Sequence, residues 1–531
     1  MPTNTLRTEH PLTADECAAL DAFGREHRGG DHLEVLAGFL RESFGVELAL
    51  DPEIIVGFAA DSSNLPARAE ALARPKSERE CAAVFRACFA ASLPVTLSGG
   101  RSNLTGSATP EGGVLVSTVN MTEPEVGIDA EARTVSCPPG IILEDMRSRV
   151  LELTGRKLVF PVDPTSRSDA SVGGSVACNC SGFTPGETGA MREWVRSLRL
   201  LLPDGRLVAA RRGQFVSREG LFMLEGAEWP VPRYRRPGVK NAGGPFSSPE
   251  GALDFVDLVI GSEGLFGLVT SCELGLAARP ADFLDIFFSL PGETEALRLL
   301  EAVRARFRGD LSGLGALEYF GINSRKFMKH EERFFRGADG VGVYIQEPLF
   351  DRDPMDAAES WLELLAEAKL DVDEEAIALL DSDKLRALFM EARHSMPANA
   401  VEVVQHRGTF TIMTDTVVPP ERFAEFLEFT HGLLAAEKLD YLSFGHLGDC
   451  HLHFTLLPEK DQVDAGVAAY EAIVARSADL GGVYSGEHGT GKRKRGDFLR
   501  CYGPEAAEDV RRCKAAVDPE MLFCRGNVIE A

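Results

Sequence analysis

Apolar positions recur at spacings of three and four through ECAALDAFGREHRGGDHLEVLAGFLRESF, a period that predicts helices across 13–45. The stretch ERECAAVFRACFAASLPVTLSGG keeps the helical spacing and then changes to a short strand, PVTLS, which runs into paired glycines. Between about 110 and 205 the runs shorten. GGVLVSTVNM, RTVSCPP, RKLVFPV and VRSLRLLLPDGRLV are β-like and separated by glycine and proline, and the last is a hairpin signature turning at Pro203-Asp204-Gly205. The Pro/Gly/Ser-rich segment WPVPRYRRPGVKNAGGPFSSPEG (229–251) follows neither period and is long enough to predict a functional or mobile loop. VDLVIGSEGLFGLVTSCELGL reads as two β-branched runs around a glycine-rich turn. From about 280 the texture changes: IFFSLPGETEALRLLEAVRARF is strand then helix, the alternation persists to about 475, and a domain boundary is placed near Arg279-Pro280. No period of the solenoid or propeller kind occurs.

The length of 531 residues exceeds one ordinary core and predicts two domains, or a large one with a split second. An apolar fraction of 44% with 26% charged residues is that of a soluble globular protein. A net charge of −25 argues against nucleic acid or an anionic membrane as partner, since both are polyanions. Against that background stand two basic runs, Arg233-Tyr234-Arg235-Arg236, read as a solvated face, and Lys492-Arg493-Lys494-Arg495. No apolar run is long enough for an integral membrane segment, and MPTNTLRTEHPLTADE lacks the features of a secretory signal. The eleven cysteines include no Cys-x-x-Cys pair, and Cys178-Asn179-Cys180 is too isolated for a cluster or ribbon site. Free thiols and a cytoplasmic location are the simplest expectation.

Three glycine-rich segments leave many backbone amides uncovered: SGGRSNLTGSA (98–108), DASVGGSVACNCSG (169–182) and IGSEGLFGLVT (260–270). Inward-turned amides form concavities suited to a pyrophosphate, although paired glycines alone more often just make turns. None fits the nicotinamide fingerprint, and no Walker-type loop occurs.

SFGHLGDCHLHF (443–454) holds three of the chain's eleven histidines. A strand points His451 and His453 the same way. His446 sits at an odd offset, and a turn at Gly448-Asp449 resets the phase so that all can converge. Neutral imidazoles with a hard carboxylate are a credible zinc or manganese set. A lone strand histidine is more often a core residue. Three together, with a second motif at Gly486-Glu487-His488-Gly489, favour a site.

PVTLSGGRSNLTGSATPEGGVLVSTVNM resembles the pyrophosphate loop of the vanillyl-alcohol-oxidase-like, PCMH-type flavoproteins. FPVDPTSRSDASVGGSVACNCSGF, MREWVRSLRLLLPDGRLV and DLVIGSEGLFGLVT resemble further segments of the same family. With the histidine segment and YSGEHGTGKRKRG the match narrows to the D-2-hydroxy-acid dehydrogenase branch, which includes D-lactate, glycolate and D-2-hydroxyglutarate dehydrogenases, and it spans roughly 50–530. The resemblance implies an α+β fold: a PCMH-type FAD-binding domain of two α+β subdomains plus a mixed α/β, ferredoxin-like substrate-capping domain. The divisions are an N-terminal helical extension at 1–50, the FAD-binding domain at 51–279, the substrate domain at 280–480 and a C-terminal segment returning to the flavin site at 481–531.

The resemblance assigns the pyrophosphate to Gly99, Gly100, Ser102, Asn103 and Gly106, with Arg101 where the family usually has a third glycine. It places Gly173, Gly174, Ser175, Asn179, Ser181, Gly182, Glu263, Gly264 and Val269 along the flavin. No histidine or cysteine lies in the pyrophosphate loop, so non-covalent FAD is expected. His446, His453 and Glu487 fall on the family's divalent-metal ligands (zinc or manganese), His488 on its base and Arg393 on its carboxylate-binding arginine. From sequence alone a surface helix charge is almost as good a reading of Arg393. His451 replaces an asparagine and Cys450 a glycine; His451 is read as supporting the ligands through hydrogen bonds, with an extra ligand or no role as alternatives. Cys524 replaces an asparagine, and Met413 stands where hydroxyglutarate-type members carry a lysine two residues before Asp415, with His406 or Arg407 as candidate substitutes. Lys240-Asn241 resembles a loop near the flavin edge, and only Lys494 of its basic run fits the family's G-x-G-x-x-K, the rest being read as exposed.

The activity implied is oxidation of a small D-2-hydroxy acid to the 2-oxo acid, hydride passing to FAD and the proton to His488. A separate electron acceptor (an electron-transfer flavoprotein, a quinone-linked protein or a cytochrome) is implied, and a homodimer is plausible. The alternatives are a zinc hydrolase using His446, His453 and Glu487, which leaves three glycine-rich segments idle, or a non-catalytic flavoprotein subunit. Within the fold, GHLGD and SGEHG favour the hydroxy-acid branch over an ether-lipid synthase or a sugar-lactone oxidase.

Overall fold

The structure is a computed structural model that describes residues 2–28, 32–336, 340–370 and 372–530. Its frame is three sheets. The first has four strands in the order Leu48–Ala49, Ala71–Ala73, Val114–Ser117, Val95–Ser98, the last three mutually parallel. Helix Glu78–Ala90 crosses over between two of them; Ser77 accepts from the Glu80 amide to start it, and its Cys81-to-Phe85 run is buried. Helices Ala14–Glu26 and Leu33–Phe44 complete the layer, as the three/four spacing requires. Thr13 and Glu16 form a capping box, and Leu20, Leu36 and Leu40 share a core with Phe85, Val95 and Val114. The segment expected as an N-terminal helical extension also supplies strands: Thr5–Leu6 pairs with Leu221–Leu224, and Thr8–Glu9 with Leu207–Arg211.

The second sheet runs Thr8–Glu9, Leu207–Arg211, Val195–Leu201, Leu268–Gly275, Thr134–Cys137, Gly127–Asp129. The hairpin read from Pro203-Asp204-Gly205 is present, with Leu201 opposite Leu207. Two segments differ from the sequence reading. The first run of VDLVIGSEG is a helix, Phe255–Val259, because the Asp254 carboxylate accepts from the Val256 amide at 2.8 Å and starts a turn buried on nearly every side. The glycine-rich VGGSVAC is also helical, Val172–Cys178, started by the Ser171 hydroxyl and ended by Asn179 at a left-handed φ of 49°.

The third sheet is antiparallel, in the order Ile377–Leu379, Asp282–Leu290, Val341–Leu349, Ala316–Phe320, Tyr441–His446, His451–Leu456, Ile412–Met413. One face is a core with helices Glu293–Arg306, Pro354–Glu367, Phe423–Ala436 and Val463–Asp479. Leu452 and Phe454 belong to that core, so His451 and His453, at the alternate positions, face the other way. On that side lies helix Asp383–Arg407, whose Phe389, Ala392 and Met396 pack on Phe287 and Phe320. The C-terminal segment touches all parts: Val483 pairs with Val417, the Val528 amide reaches Gly491 O at 2.9 Å, and Phe523 bridges to Val95. None of the described helices is long and apolar enough to cross a membrane.

Candidate active site

The histidine segment is a hairpin. His446 stands opposite His451 and Phe444 opposite His453, so all three imidazoles lie on one face. The turn resets the phase with Cys450 at φ 53°, the left-handed conformation that a glycine would adopt more easily. Gly445 is required by a close approach, since a Cβ there would lie 2.6 Å from the His451 carbonyl oxygen.

The neighbouring strand adds Glu318, directly across from His446, its Oε1 2.6 Å from His446 Nδ1. Its Oε2 accepts from Arg393 Nη2 at 2.7 Å and Nε at 3.2 Å. The Arg393 guanidinium lies 4.2 Å over the Phe183 ring. Arg393 is therefore a buried, paired cation, and the surface-charge reading of it is set aside. Glu487 faces the hairpin, Oε1 3.1 Å from His453 Nε2 and Oε2 3.2 Å from His446 Nε2. Lys240, its side chain only 5% exposed, holds Nζ 3.5 Å from Glu487 and 3.6 Å from Asp449.

Asp415 organises the second motif. Fully buried, it accepts from His451 Nε2 at 2.8 Å, Ser485 Oγ at 2.7 Å, Lys494 Nζ at 2.7 Å and the His488 amide at 3.1 Å. His488 Nδ1 lies 3.3 Å from the same carboxylate and its Nε2 3.5 Å from Glu487 Oε1, so the ring stands between two carboxylates, with Asp415 on the Nδ1 side. Lys494 thus has a partner of its own, whereas Lys492, read as exposed, is half-buried and donates to Asn527 Oδ1 at 2.9 Å. Arg236, assigned to a solvated face, instead donates to the carbonyls of Asn241 and Gly243 at 3.0 and 2.7 Å and shapes the 236–245 loop.

Charge in this interior is strongly coupled. Burial alone would raise the Glu318 carboxyl, but His446 and Arg393 hold it at about 2. Burial depresses His446, and Glu318 reverses that to about 9. His451 is pushed down to about 3 by burial, against its bond to Asp415. Asp415 and Glu487 stay well below the usual carboxylate range despite burial, the first through His488 and Lys494, the second through His446 and Lys240.

The glycine-rich segments meet this cluster across one cavity of about 680 Å³. Of the residues expected at the cofactor, Gly99, Gly100, Arg101, Ser102, Asn103, Gly173, Gly174, Ser175, Ser181, Gly182, Glu263, Gly264 and Val269 line it, together with Arg393, His446, His453, Glu487 and His488. Gly106 and Asn179 do not line it. Gly106 sits in the turn behind, its carbonyl accepting from Thr109 Oγ1 at 2.7 Å, and Asn179 Oδ1 accepts from the Arg192 amide at 3.0 Å. A Cβ on Gly100 would lie 1.9 Å from the Asp169 carbonyl oxygen, so only glycine lets the two loops touch. Arg101 keeps a left-handed φ of 61° without being glycine and lies 5.2 Å from the Phe58 ring. Met413 also lines the cavity, and neither candidate substitute for the missing lysine does: His406 is exposed, and Arg407 is engaged by Asp440 and Glu459.

The donors fit both groups that the resemblance implies. The amides of Gly100, Ser102 and Asn103 donate to no acceptor among the described residues, and Ser175 Oγ is buried without a partner, as a phosphate-binding cradle requires. Glu263 knits the cradle to the second motif: its carboxylate accepts from the Ser107 hydroxyl and from the amides of Thr490 and Gly491 at 2.8 and 2.7 Å. For the metal, His453 Nδ1 lies 3.2 Å from Thr414 O, a carbonyl that only accepts, so Nδ1 holds the hydrogen. His453 Nε2 in a neutral ring is then a lone pair facing a carboxylate at 3.1 Å, an arrangement that a shared cation resolves. Glu318 was not singled out from the sequence, although an acidic residue inside the apolar run Leu317-Glu318-Tyr319-Phe320 is a signal for it.

Comparison with known proteins agrees with this architecture. The family model described as FAD binding domain matches residues 69–211, and that described as FAD linked oxidases, C-terminal domain, matches 349–528. A D-lactate dehydrogenase from Anaerostipes hadrus is 27% identical, covering 87% of this chain and 90% of the relative. A D-2-hydroxyglutarate dehydrogenase from Xanthomonas citri pv. viticola is likewise 27% identical over 87% of this chain and 89% of its own length. Among solved structures, 4-ethylphenol oxidase from Gulosibacter chungangensis shares the fold at a TM-score of 0.63, with 16% identity and 98% of each chain covered.

Proposed function

We propose, for a chain that belongs to the PCMH-type FAD-linked oxidases, that it oxidises a small D-2-hydroxy acid to the 2-oxo acid. The observation that carries this reading is the single cavity lined both by the glycine loops and by Arg393, His446, His453, Glu487 and His488. Gly100, Ser102 and Asn103 offer amides to the pyrophosphate, and non-covalent FAD bound there supplies a two-electron acceptor for the hydride leaving the substrate carbon. Cys178 and Cys180 line the same cavity, and burial raises both thiols, Cys180 to about 12, so neither offers a thiolate for a covalent link. A divalent cation held by His446, His453 and Glu487 supplies Lewis-acid polarisation of the substrate hydroxyl.

The side chains do the rest. His488 Nε2, on the ring edge turned toward Glu487, takes the hydroxyl proton, while Asp415 holds Nδ1 and orients the ring. Arg393, whose Nε and Nη2 are held by Glu318, offers its remaining edge to the substrate carboxylate. Phe183, Phe444 and Met413 wall the cavity with apolar surface and keep water from the reacting carbon. No lysine stands at Met413 to take a second carboxylate, which favours monocarboxylic substrates. A separate electron acceptor would be needed for turnover.

The experiment is anaerobic mixing of the purified, FAD-loaded protein with a panel of D- and L-2-hydroxy acids, before and after chelation. Bleaching of the flavin by a D-2-hydroxy acid, slowed by chelation and restored by zinc or manganese, is expected. A colourless folded protein that does not take up FAD refutes the flavoenzyme reading. A yellow protein that no hydroxy acid bleaches points instead to a non-catalytic subunit.

A further inference from the structure

We propose that His451 is a fourth protein ligand, so that a cation at the hairpin meets three imidazoles and one carboxylate. The assignment rests on the metal-assisted reading above and extends it to a residue which that reading leaves without a role.

His451 is fully buried, and its two nitrogens have different surroundings. Nε2 lies 2.8 Å from Asp415 Oδ1. A carboxylate ionised by its contacts with Lys494 and His488 can only accept, so the ring hydrogen sits on Nε2. Nδ1 is then a bare lone pair, and no donor among the described residues reaches it. Buried acceptors in folded proteins almost always have a partner, and one left over beside other ligand atoms calls for one.

The surroundings supply the place. One donor atom from each of His446, His451, His453 and Glu487 lies within 4.8 Å of the others. The His451 ring is 4.7 Å from His453 and 5.3 Å from His446, centroid to centroid. The hairpin register dictates this closeness, because His451 is the cross-strand partner of His446 and shares a face with His453. Asp415 plays toward His451 the part that Glu318 plays toward His446 and Thr414 O toward His453: each fixes one ring nitrogen and leaves the other for a cation. With four protein donors in place, a bound ion would reach five ligands on taking a substrate oxygen.

The test uses FAD-loaded protein stripped of metal and titrated with Zn²⁺ alone, then with Mn²⁺ alone. X-ray absorption at the bound Zn²⁺ is expected to count three imidazoles in the wild type and two in His451→Asn and His451→Gln. Kd for Zn²⁺ should rise by more than about 100-fold in both variants, beyond the loss usual for a residue that only supports a ligand. Unchanged flavin absorbance in either variant certifies the fold. Two imidazoles in the wild type overturn the assignment even where affinity falls on substitution. A wild type that takes up neither ion overturns it together with the metal in the proposed function, whereas a bound ion with two imidazoles overturns the His451 assignment alone.

Discussion

Replacing Glu263 by glutamine probes whether one buried carboxylate couples the cofactor cradle to the motif that carries His488. Glu263 is 4% exposed and sits at a left-handed φ of 54°. Oε1 accepts from the Thr490 amide at 2.8 Å, and Oε2 from the Gly491 amide at 2.7 Å and from the Ser107 hydroxyl. Glutamine offers one oxygen, so its amide group must face a backbone N–H that cannot turn away. The loss is one charge-assisted hydrogen bond, about 1.5–3 kcal/mol, together with an unpaired buried N–H at about 1–3 kcal/mol. A total of about 2.5–6 kcal/mol is divided between the fold and the cradle. If about 2 kcal/mol falls on the cradle, Kd for FAD rises by about 30-fold. The sign discriminates between mechanisms. Removing an anion beside a dinucleotide would tighten binding by charge alone, so weakened binding reports the lost positioning. FAD titration of the apoprotein by fluorescence quenching, with thermal unfolding alongside, measures both parts. FAD affinity within threefold of wild type would refute the coupling.

Three further outcomes follow from the same geometry. His488→Ala should keep the flavin spectrum while lowering the rate constant for anaerobic reduction by about 10²–10⁴-fold, and a rate within threefold of wild type removes His488 as the base. Met413→Lys should raise kcat/KM for a dicarboxylic 2-hydroxy acid relative to a monocarboxylic one by about tenfold or more, through the charge it adds to the cavity wall; an unchanged ratio places the second carboxylate elsewhere. Burial would raise the Glu78 carboxyl, but Arg199 and Thr270 leave it below its ordinary value of 4.5. Its stabilisation is therefore complete above about pH 4.5 and is lost as pH falls through the lower folded value, so the stability gap between wild type and Glu78→Gln should narrow below about pH 4.5 in pH-dependent denaturant unfolding.

Local periodicity carried much of this architecture. The spacing through 13–45 gives two helices because Leu20, Leu36 and Leu40 must share one buried side, and Pro203-Asp204-Gly205 gives a hairpin because its flanks are apolar and its turn is not. Periodicity was silent where a cap decides. VDLV is as good a strand as a helix until Asp254 takes the Val256 amide, and VGGSVAC has too few large side chains to show any period. The histidine hairpin was legible because alternation puts His451 and His453 on one face, and its register explains how His446 joins them across a turn.

The charged framework behind those histidines was not legible, and the reason is physical. Glu318 and Asp415 come from separate regions of the chain, and each is tolerable inside only because a partner from elsewhere arrives with it, as Lys240 does for Glu487 of the SGEHG motif. Arg393 reaches Glu318 from a helix 75 residues away, Lys494 reaches Asp415 across 79, and Lys240 approaches Glu487 from a loop 247 residues earlier. No local pattern encodes such pairings, because any one of these residues alone reads as a solvated charge. A single anomaly betrays each of the two carboxylates: a glutamate in an otherwise apolar strand and an aspartate between two β-branched runs. Motifs therefore identify histidines and a glutamate that converge on one cavity, while the counter-charges that orient them emerge only once the sheets are stacked. Because Glu318, Arg393 and Asp415 lie outside the motifs, a chain can retain GHLGD and SGEHG intact and still lose the contacts that hold His446, His451 and His488 in place.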